Sequence, residues 1–247
     1  MQIVISPKYE YLRPWIESMP SIFSKVGTII YDARNQIRVV EYNGLTINVK
    51  RFHCPAYPNR IIYSTIRVPK AVRAYENAER LLTMGVPTPE PIAYILCGNQ
   101  LLEESYLLTI QSPLSRNFYE FRYHSVEGYE PVIQQFACFS ANLHRKGILH
   151  KDYSPGNILF DVAANGKAEF CLVDINRMEF DCEIDMPMAC KNFCRLWGHR
   201  DFIDLLSVEY ARARDWDATQ VKKLITRYWE QFWHIKSDAD IERIFSR

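Results

Sequence analysis

Between residues 27 and 52 apolar and polar side chains alternate in three short runs, Thr28-Ile29-Ile30-Tyr31, Ile37-Arg38-Val39-Val40 and Leu45-Thr46-Ile47-Asn48-Val49. A period of two over such lengths predicts half-buried strands. Asp32-Ala33-Arg34-Asn35 and Asn43-Gly44 separate the runs. Asn-Gly tolerates the positive φ angles of a two-residue hairpin turn, so these strands pair antiparallel. The pattern predicts a sheet that begins the domain at this point.

The period then changes. Ala71, Ala74, Tyr75, Ala78, Leu81 and Leu82 recur at helical spacing, with Pro69 where a first turn tolerates it and Gly85 as a stop. Pro87, Pro89 and Pro91 force an extended exit, and residues 92–96 and 106–110 read as two further strands. Beyond Gln111-Ser112-Pro113 the pattern is helical: Val132, Phe136, Phe139 and Leu143 form one stripe, opened near Pro131 and ended by Gly147. Asp217 with Gln220 resembles a capping box ahead of Val221, Leu224, Ile225, Tyr228, Trp229 and Phe232. The predicted fold class is α+β in two lobes. Residues 1–111 form a small antiparallel sheet with one inserted helix, and residues 112–247 form a mainly helical lobe.

A chain of 247 residues, 48% hydrophobic and 24% charged, belongs with folded globular proteins and has room for two lobes. Lys and Arg number 30 against 29 Asp and Glu, a balance that gives no argument for a nucleic-acid partner. Ile3-Val4-Ile5 is too brief for a signal-peptide core or a membrane span, so a cytoplasmic protein is expected. Seven Cys, with no C-x-x-C pair, suit reduced, mostly buried thiols better than disulfides. The cluster Cys190, Cys194 and His199 matches no common metal spacing.

The chemistry concentrates between the two helical stretches. Asp152 and Asn157 flank Pro155-Gly156, a pair that turns the chain tightly and brings a carboxylate and a carboxamide toward one point. Ile158-Leu159-Phe160 and Phe170-Cys171-Leu172-Val173 read as a hairpin closed through Ala164-Asn165-Gly166, which would set Asp174 beside Asn157. Magnesium takes hard oxygen ligands and few of them from protein, and phosphoryl transfer asks mainly for such metal ions and a group that orients the attacking hydroxyl. Each of these Asx residues has an ordinary alternative use as a turn former. His150, Pro155 and Asp174 occurring together argue for the site.

His150-Lys151-Asp152-Tyr153-Ser154-Pro155-Gly156-Asn157 resembles the H-x-D-x-x-x-x-N catalytic loop of the kinase superfamily, and Asp174-Ile175-Asn176 resembles its D-F-G. By that resemblance the chain uses ATP and magnesium, Asp152 is the catalytic base, Asn157 and Asp174 bind the metal, and His150 supports the loop. The resemblance also asks for a strand lysine paired with a helix glutamate to hold nucleotide phosphates. Val49-Lys50-Arg51-Phe52 supplies Lys50, and the helix supplies Glu76, preferred, or Glu79.

The chain departs from protein kinases in three places. The first turn, Asp32-Ala33-Arg34-Asn35, has no glycine, which leaves Arg34 or Asn35 as the candidates to cover the phosphates. Ser154 stands where serine/threonine kinases carry a lysine, and no A-P-E follows Asp174. These absences argue against a peptide substrate. Lys50, the run from Tyr75-Glu76-Asn77-Ala78 to Pro91-Ile92-Ala93, Ser154-Pro155-Gly156-Asn157 and Asp174-Ile175-Asn176-Arg177 together resemble the lipopolysaccharide core kinase (Kdo/WaaP) family. That resemblance implies phosphorylation of a lipid-linked inner-core sugar, Kdo or heptose, and work at the inner membrane surface. Arg60, Arg67, Lys70 and Arg73 are candidates to meet anionic lipid or an acidic sugar there, against the plainer reading of a solvated basic face. The rival expectations are another small-molecule kinase, resembling aminoglycoside phosphotransferases, and a pseudokinase acting as a nucleotide-binding scaffold.

Overall fold

The computed structural model describes residues 1–33, 35–53, 68–98, 103–122 and 126–245. They form two compact units, Met1–Pro113 and Leu114–Arg247.

The first unit is built on six strands: β1 (Gln2–Ile5), β2 (Thr28–Asp32), β3 (Asn35–Tyr42), β4 (Leu45–Phe52), β5 (Pro91–Cys97) and β6 (Glu104–Ile110). Their order is β1-β5-β6-β4-β3-β2, with every neighbour antiparallel. Asn43 and Gly44 both take positive φ, 51° and 76°, as the predicted tight turn between β3 and β4 requires. Helix α2 (Lys70–Thr83) begins one residue after Pro69, which is its N-cap rather than part of its first turn, and it is followed by Gly85 at φ 68°. Its Ala71, Val72, Ala74 and Tyr75 pack with Phe52, Tyr94 and Leu107 on one face of the sheet.

The opposite face corrects the expectation that the sheet starts the domain near residue 27. β1 lies at one edge and pairs with β5, and helix α1 (Arg13–Ile22) comes before β2. Leu12, Trp15, Ile16, Met19 and Phe23 pack on Val40, Ile47, Val49, Ile95, Tyr106 and Leu108. Pro14 and Pro20 hide this helix from a reading by pattern. Pro14 sits in the first turn, where no N–H is needed, and Pro20 lies just before the chain tightens into the 3-10 turn Phe23–Lys25.

The second unit contains a three-stranded sheet of β7 (Arg116–Asn117), β9 (Ile158–Val162) and β10 (Ala168–Leu172), in the order β10-β9-β7, and the short pair β8 (Leu149–His150) and β11 (Met178–Glu179). Its helices are α3 (Glu130–Arg145), α4 (Met186–Asn192), α5 (Arg200–Arg214), α6 (Ala218–Trp233) and α7 (Asp238–Phe245). The expected hairpin of β9 and β10 is present, with β7 added at its edge. Asp217 accepts the Gln220 N–H at 2.8 Å and opens α6 where the sequence placed a cap. Phe118 gathers Phe121, Phe136 and Phe160 at ring distances of 5.0, 4.2 and 5.3 Å, an aromatic core under the hairpin.

Candidate active site

The loop that the kinase resemblance marks as catalytic runs from β8 to β9, and one buried ring organises it. His150 is fully enclosed, and its Nδ1 accepts the backbone N–H of Asp152 at 3.1 Å. Because Nδ1 is an acceptor, the proton sits on Nε2, which donates to the Val173 carbonyl at 3.1 Å. Burial pushes the His150 pKa below the ordinary histidine range and keeps the ring in that neutral tautomer. One imidazole thus ties the backbone of Asp152 to the strand end that precedes Asp174.

Further bonds close the loop on itself. Asn157 Nδ2 donates to the Asp152 carbonyl at 2.8 Å, and the same carbonyl accepts the Ser154 N–H at 2.8 Å. The Asn157 carbonyl accepts the Val173 N–H at 3.0 Å. Asn157 and Asp174 are therefore brought together as the hairpin predicted, since the residue before Asp174 is bonded to Asn157 through its N–H and to His150 through its C=O. Gly156 lies against Tyr119: a Cβ there would stand 2.7 Å from that ring, so the glycine permits the close turn. Beneath the loop Tyr153 is fully buried, its hydroxyl 2.8 Å from Ser140 Oγ on α3 and its ring stacked on Phe136.

Asp174 takes φ 52°, a left-handed conformation that Asp and Asn adopt more readily than most residues. Its Oδ1 accepts from Asn176 Nδ2 at 2.6 Å. The donor set suits magnesium. Asn157 commits its amide N–H to Asp152, which directs the carboxamide oxygen to the other side, and Asp174 contributes a carboxylate, so both are hard oxygen ligands. The Cys190, Cys194 and His199 cluster has a different character. Burial pushes the Cys190 thiol up to about 12 and raises that of Cys194. Among the described residues no group of three or more His, Cys, Asp or Glu side chains gathers to hold a metal ion.

Asp152 presents its carboxylate to two arginines that the sequence reading gave no role. Arg195 Nη1 donates to Oδ1 at 3.1 Å, and Arg177 Nη1 lies 3.8 Å from Oδ2. Arg195 ends the 3-10 turn Phe193–Arg195 directly after α4. In the same segment Asn192 Nδ2 donates to the His150 carbonyl at 2.9 Å and its Oδ1 accepts from His144 Nε2 at 3.1 Å. Phe193 is buried against Tyr210, His144 and Tyr153 at 4.8, 5.8 and 6.0 Å. One short stretch therefore anchors both the backbone of this loop at His150 and the carboxylate of Asp152.

In the first unit Lys50 lies on β4 in a cross-strand row with Leu107 and Tyr94, on the face that α2 covers, with its Nζ 5.1 Å from the Phe52 ring centre. The two glutamates of α2 are both exposed and differ in what they meet. Burial, and after it the charge of Glu79, pushes the Tyr75 pKa up to about 12. Burial and the charge of Glu76 raise that of Tyr94. Of the residues considered for the phosphate cover, Asn35 begins β3, opposite Phe52, while Arg34 lies outside the described residues.

A family model for the lipopolysaccharide kinase (Kdo/WaaP) family matches residues 32–228. Among solved structures the chain is similar to WaaP in complex with acyl carrier protein, at 16% identity and a TM-score of 0.59, over 94% of this chain and 100% of that one. At that identity the likeness speaks for the fold, the kinase-like α+β fold. No curated protein matches.

Proposed function

The chain belongs to the lipopolysaccharide kinase (Kdo/WaaP) family, and from that premise we propose that this kinase transfers the γ-phosphate of ATP to a hydroxyl of an inner-core sugar, Kdo or heptose. Asp152 orients that hydroxyl and accepts its proton. Asn157 and Asp174 would hold magnesium, which when bound neutralises phosphate oxygens. The observation that carries the reading is the hub at His150, which bonds the Asp152 N–H on one side of its ring and the Val173 carbonyl on the other. The proposed base and the strand end before Asp174 are thereby tied to one uncharged ring, and Asn157 joins them through the Asp152 carbonyl and the Val173 N–H.

Residues 1–111 are proposed as the nucleotide-binding lobe and residues 112–247 as the catalytic one. Lys50 would meet the α- and β-phosphates, with Glu76 as its partner in preference to Glu79, because the charge of Glu76 acts on Tyr94, in the cross-strand row of Lys50, whereas that of Glu79 acts on Tyr75. A lipid-linked acceptor requires work at a membrane surface. Among the described residues no helix is long and apolar enough to cross a membrane, so peripheral contact is proposed. Lys70 and Arg73, half-buried on α2, are its described candidates, while Arg60 and Arg67 lie outside the described residues.

The test is a panel of Kdo-lipid A, heptosylated core and aminoglycosides with labelled ATP. Turnover on a core sugar is expected, and turnover on the antibiotics alone would sink the acceptor assignment. Asp152→Ala should abolish turnover and keep metal-dependent ATP binding, whereas Asp174→Ala should lose both. Wild-type behaviour in both variants would overturn the site.

A further inference from the structure

The carboxylate of Asp152 is the proposed base, yet its two oxygens are not equivalent. Oδ1 takes a hydrogen bond from Arg195 at 3.1 Å, whereas Arg177 stands 3.8 Å from Oδ2, beyond hydrogen-bond reach. Oδ2 is therefore the oxygen left for an incoming hydroxyl. Both arginine side chains are about half in solvent, at 40% for Arg195 and 48% for Arg177, while the aspartate side chain is only 24% exposed. Each arginine has five N–H donors; Arg195 commits one nitrogen to the aspartate and Arg177 makes only the longer ion pair, so most of their donors are not used on Asp152.

A structural ion pair is the plainer use for such contacts. Pairs this exposed contribute little to stability, and here two cations converge on one carboxylate. Their backbones are also held independently of that carboxylate. The Arg177 carbonyl accepts the Lys151 N–H at 2.9 Å, and Arg195 follows the buried Phe193 with its guanidinium 5.2 Å from the Phe232 ring centre. The third cation of the loop, Lys151, is paired with Glu179 at 2.5 Å. Ser154 brings no charge two residues after Asp152. Among the described residues Arg177 and Arg195 are thus the cations beside Asp152 with donors to spare.

We propose that Arg177 and Arg195 form an oxyanion subsite beside Asp152 Oδ2, which binds an anionic group of the reacting pair, either the γ-phosphoryl group of ATP or the acid group of an acidic sugar acceptor. In the transfer the acceptor oxygen bonds to the γ-phosphorus, the bond from that phosphorus to the bridging oxygen of ADP breaks, and the hydroxyl proton passes to Oδ2. The arginine donors stabilise the anion placed next to that event. The subsite rests on the reading of Asp152 as base and deepens it.

The experiment measures binding rather than turnover. Affinities for magnesium-ATP and magnesium-ADP, and for Kdo and its neutral methyl ester in the presence of magnesium-ADP, are compared between wild type and Arg195→Met, Arg177→Met and the corresponding Lys variants. Loss of a charge-assisted bond should change one ratio by about 10- to 100-fold in the Met variants. The Lys variants should keep part of it, as point charges without the planar fork. A change in the ATP-to-ADP ratio assigns the γ-phosphoryl group, and a change in the acid-to-ester ratio assigns the acceptor. If both ratios stay within about twofold of wild type in folded Met variants, or in the Lys variants and Arg195→Gln should the Met variants fail to fold, the subsite does not exist. A protein whose arginines govern the ATP-to-ADP ratio but which phosphorylates no core sugar keeps the subsite and loses the acceptor assignment.

Discussion

Acid should destabilise this protein through a histidine that never touches substrate. His144 on α3 is buried, its Nδ1 accepts the Tyr210 hydroxyl at 2.7 Å and its Nε2 donates to Asn192 at 3.1 Å. Desolvation lowers its pKa from 6.5 to about 4, with the charge of Arg214 acting in the same direction and the bond to Asn192 opposing. Below about pH 6.5 the unfolded chain takes up a proton that the folded protein refuses, so stability falls as pH falls and levels off below about pH 4. The shift from 6.5 to about 4, at about 1.4 kcal/mol per unit, corresponds to about 3 kcal/mol in full and about 2 kcal/mol between pH ~6.5 and ~4.5. His150, also held neutral by burial, adds a loss of the same sign. The assay is urea unfolding followed by tryptophan fluorescence across that window, for wild type and His144→Gln. The variant is expected to be weaker at every pH but to lose about 2 kcal/mol less than wild type on acidification. Parallel losses in the two proteins would refute the assignment of a neutral, buried His144.

Asn192→Ala removes the donor to the His150 carbonyl and the acceptor from His144 at once. Two buried polar groups left unmatched should cost about 2–4 kcal/mol, read as a lower urea midpoint, and turnover should fall with it because the catalytic loop loses its anchor. Gly27 takes φ 61°, and an added Cβ would stand 2.2 Å from the Val39 carbonyl oxygen. Gly27→Ala should therefore destabilise the first unit by about 2 kcal/mol or more, seen in the same unfolding assay. Glu76→Gln should raise the KM for ATP several-fold while Glu79→Gln leaves it near wild type, and the reverse result would transfer the lysine partnership to Glu79.

The geometry of the proposed catalytic loop was legible because its determinants are local. His150, Asp152 and Asn157 lie within one turn-rich segment, and the hairpin that returns Val173 to Asn157 announces itself by two apolar runs. The layer formed by α1 was missed although its trace was present. β5 and β6 are apolar on successive residues rather than alternate ones, as strands covered on both faces must be. A sheet with one helix can cover only one face, so Ile92-Ala93-Tyr94-Ile95 already required a second layer, and Trp15, Ile16 and Met19 provide it.

Arg195 and Asn192 left no such trace. Their partners are 43 and 42 residues away, and neither belongs to a periodic stripe or a turn motif. What selects them is the fold, because Phe193 is buried between α3 and α5 and the residues on either side of it are thereby carried to the loop. The sequence motif can thus name the groups proposed to do chemistry on a phosphate, but not the group that decides which oxygen of Asp152 is left free. That choice depends on a single guanidinium bound to Oδ1. A change in the packing of Phe193 that moved Arg195 by an ångström or two would alter the proposed base without altering any residue of the motif.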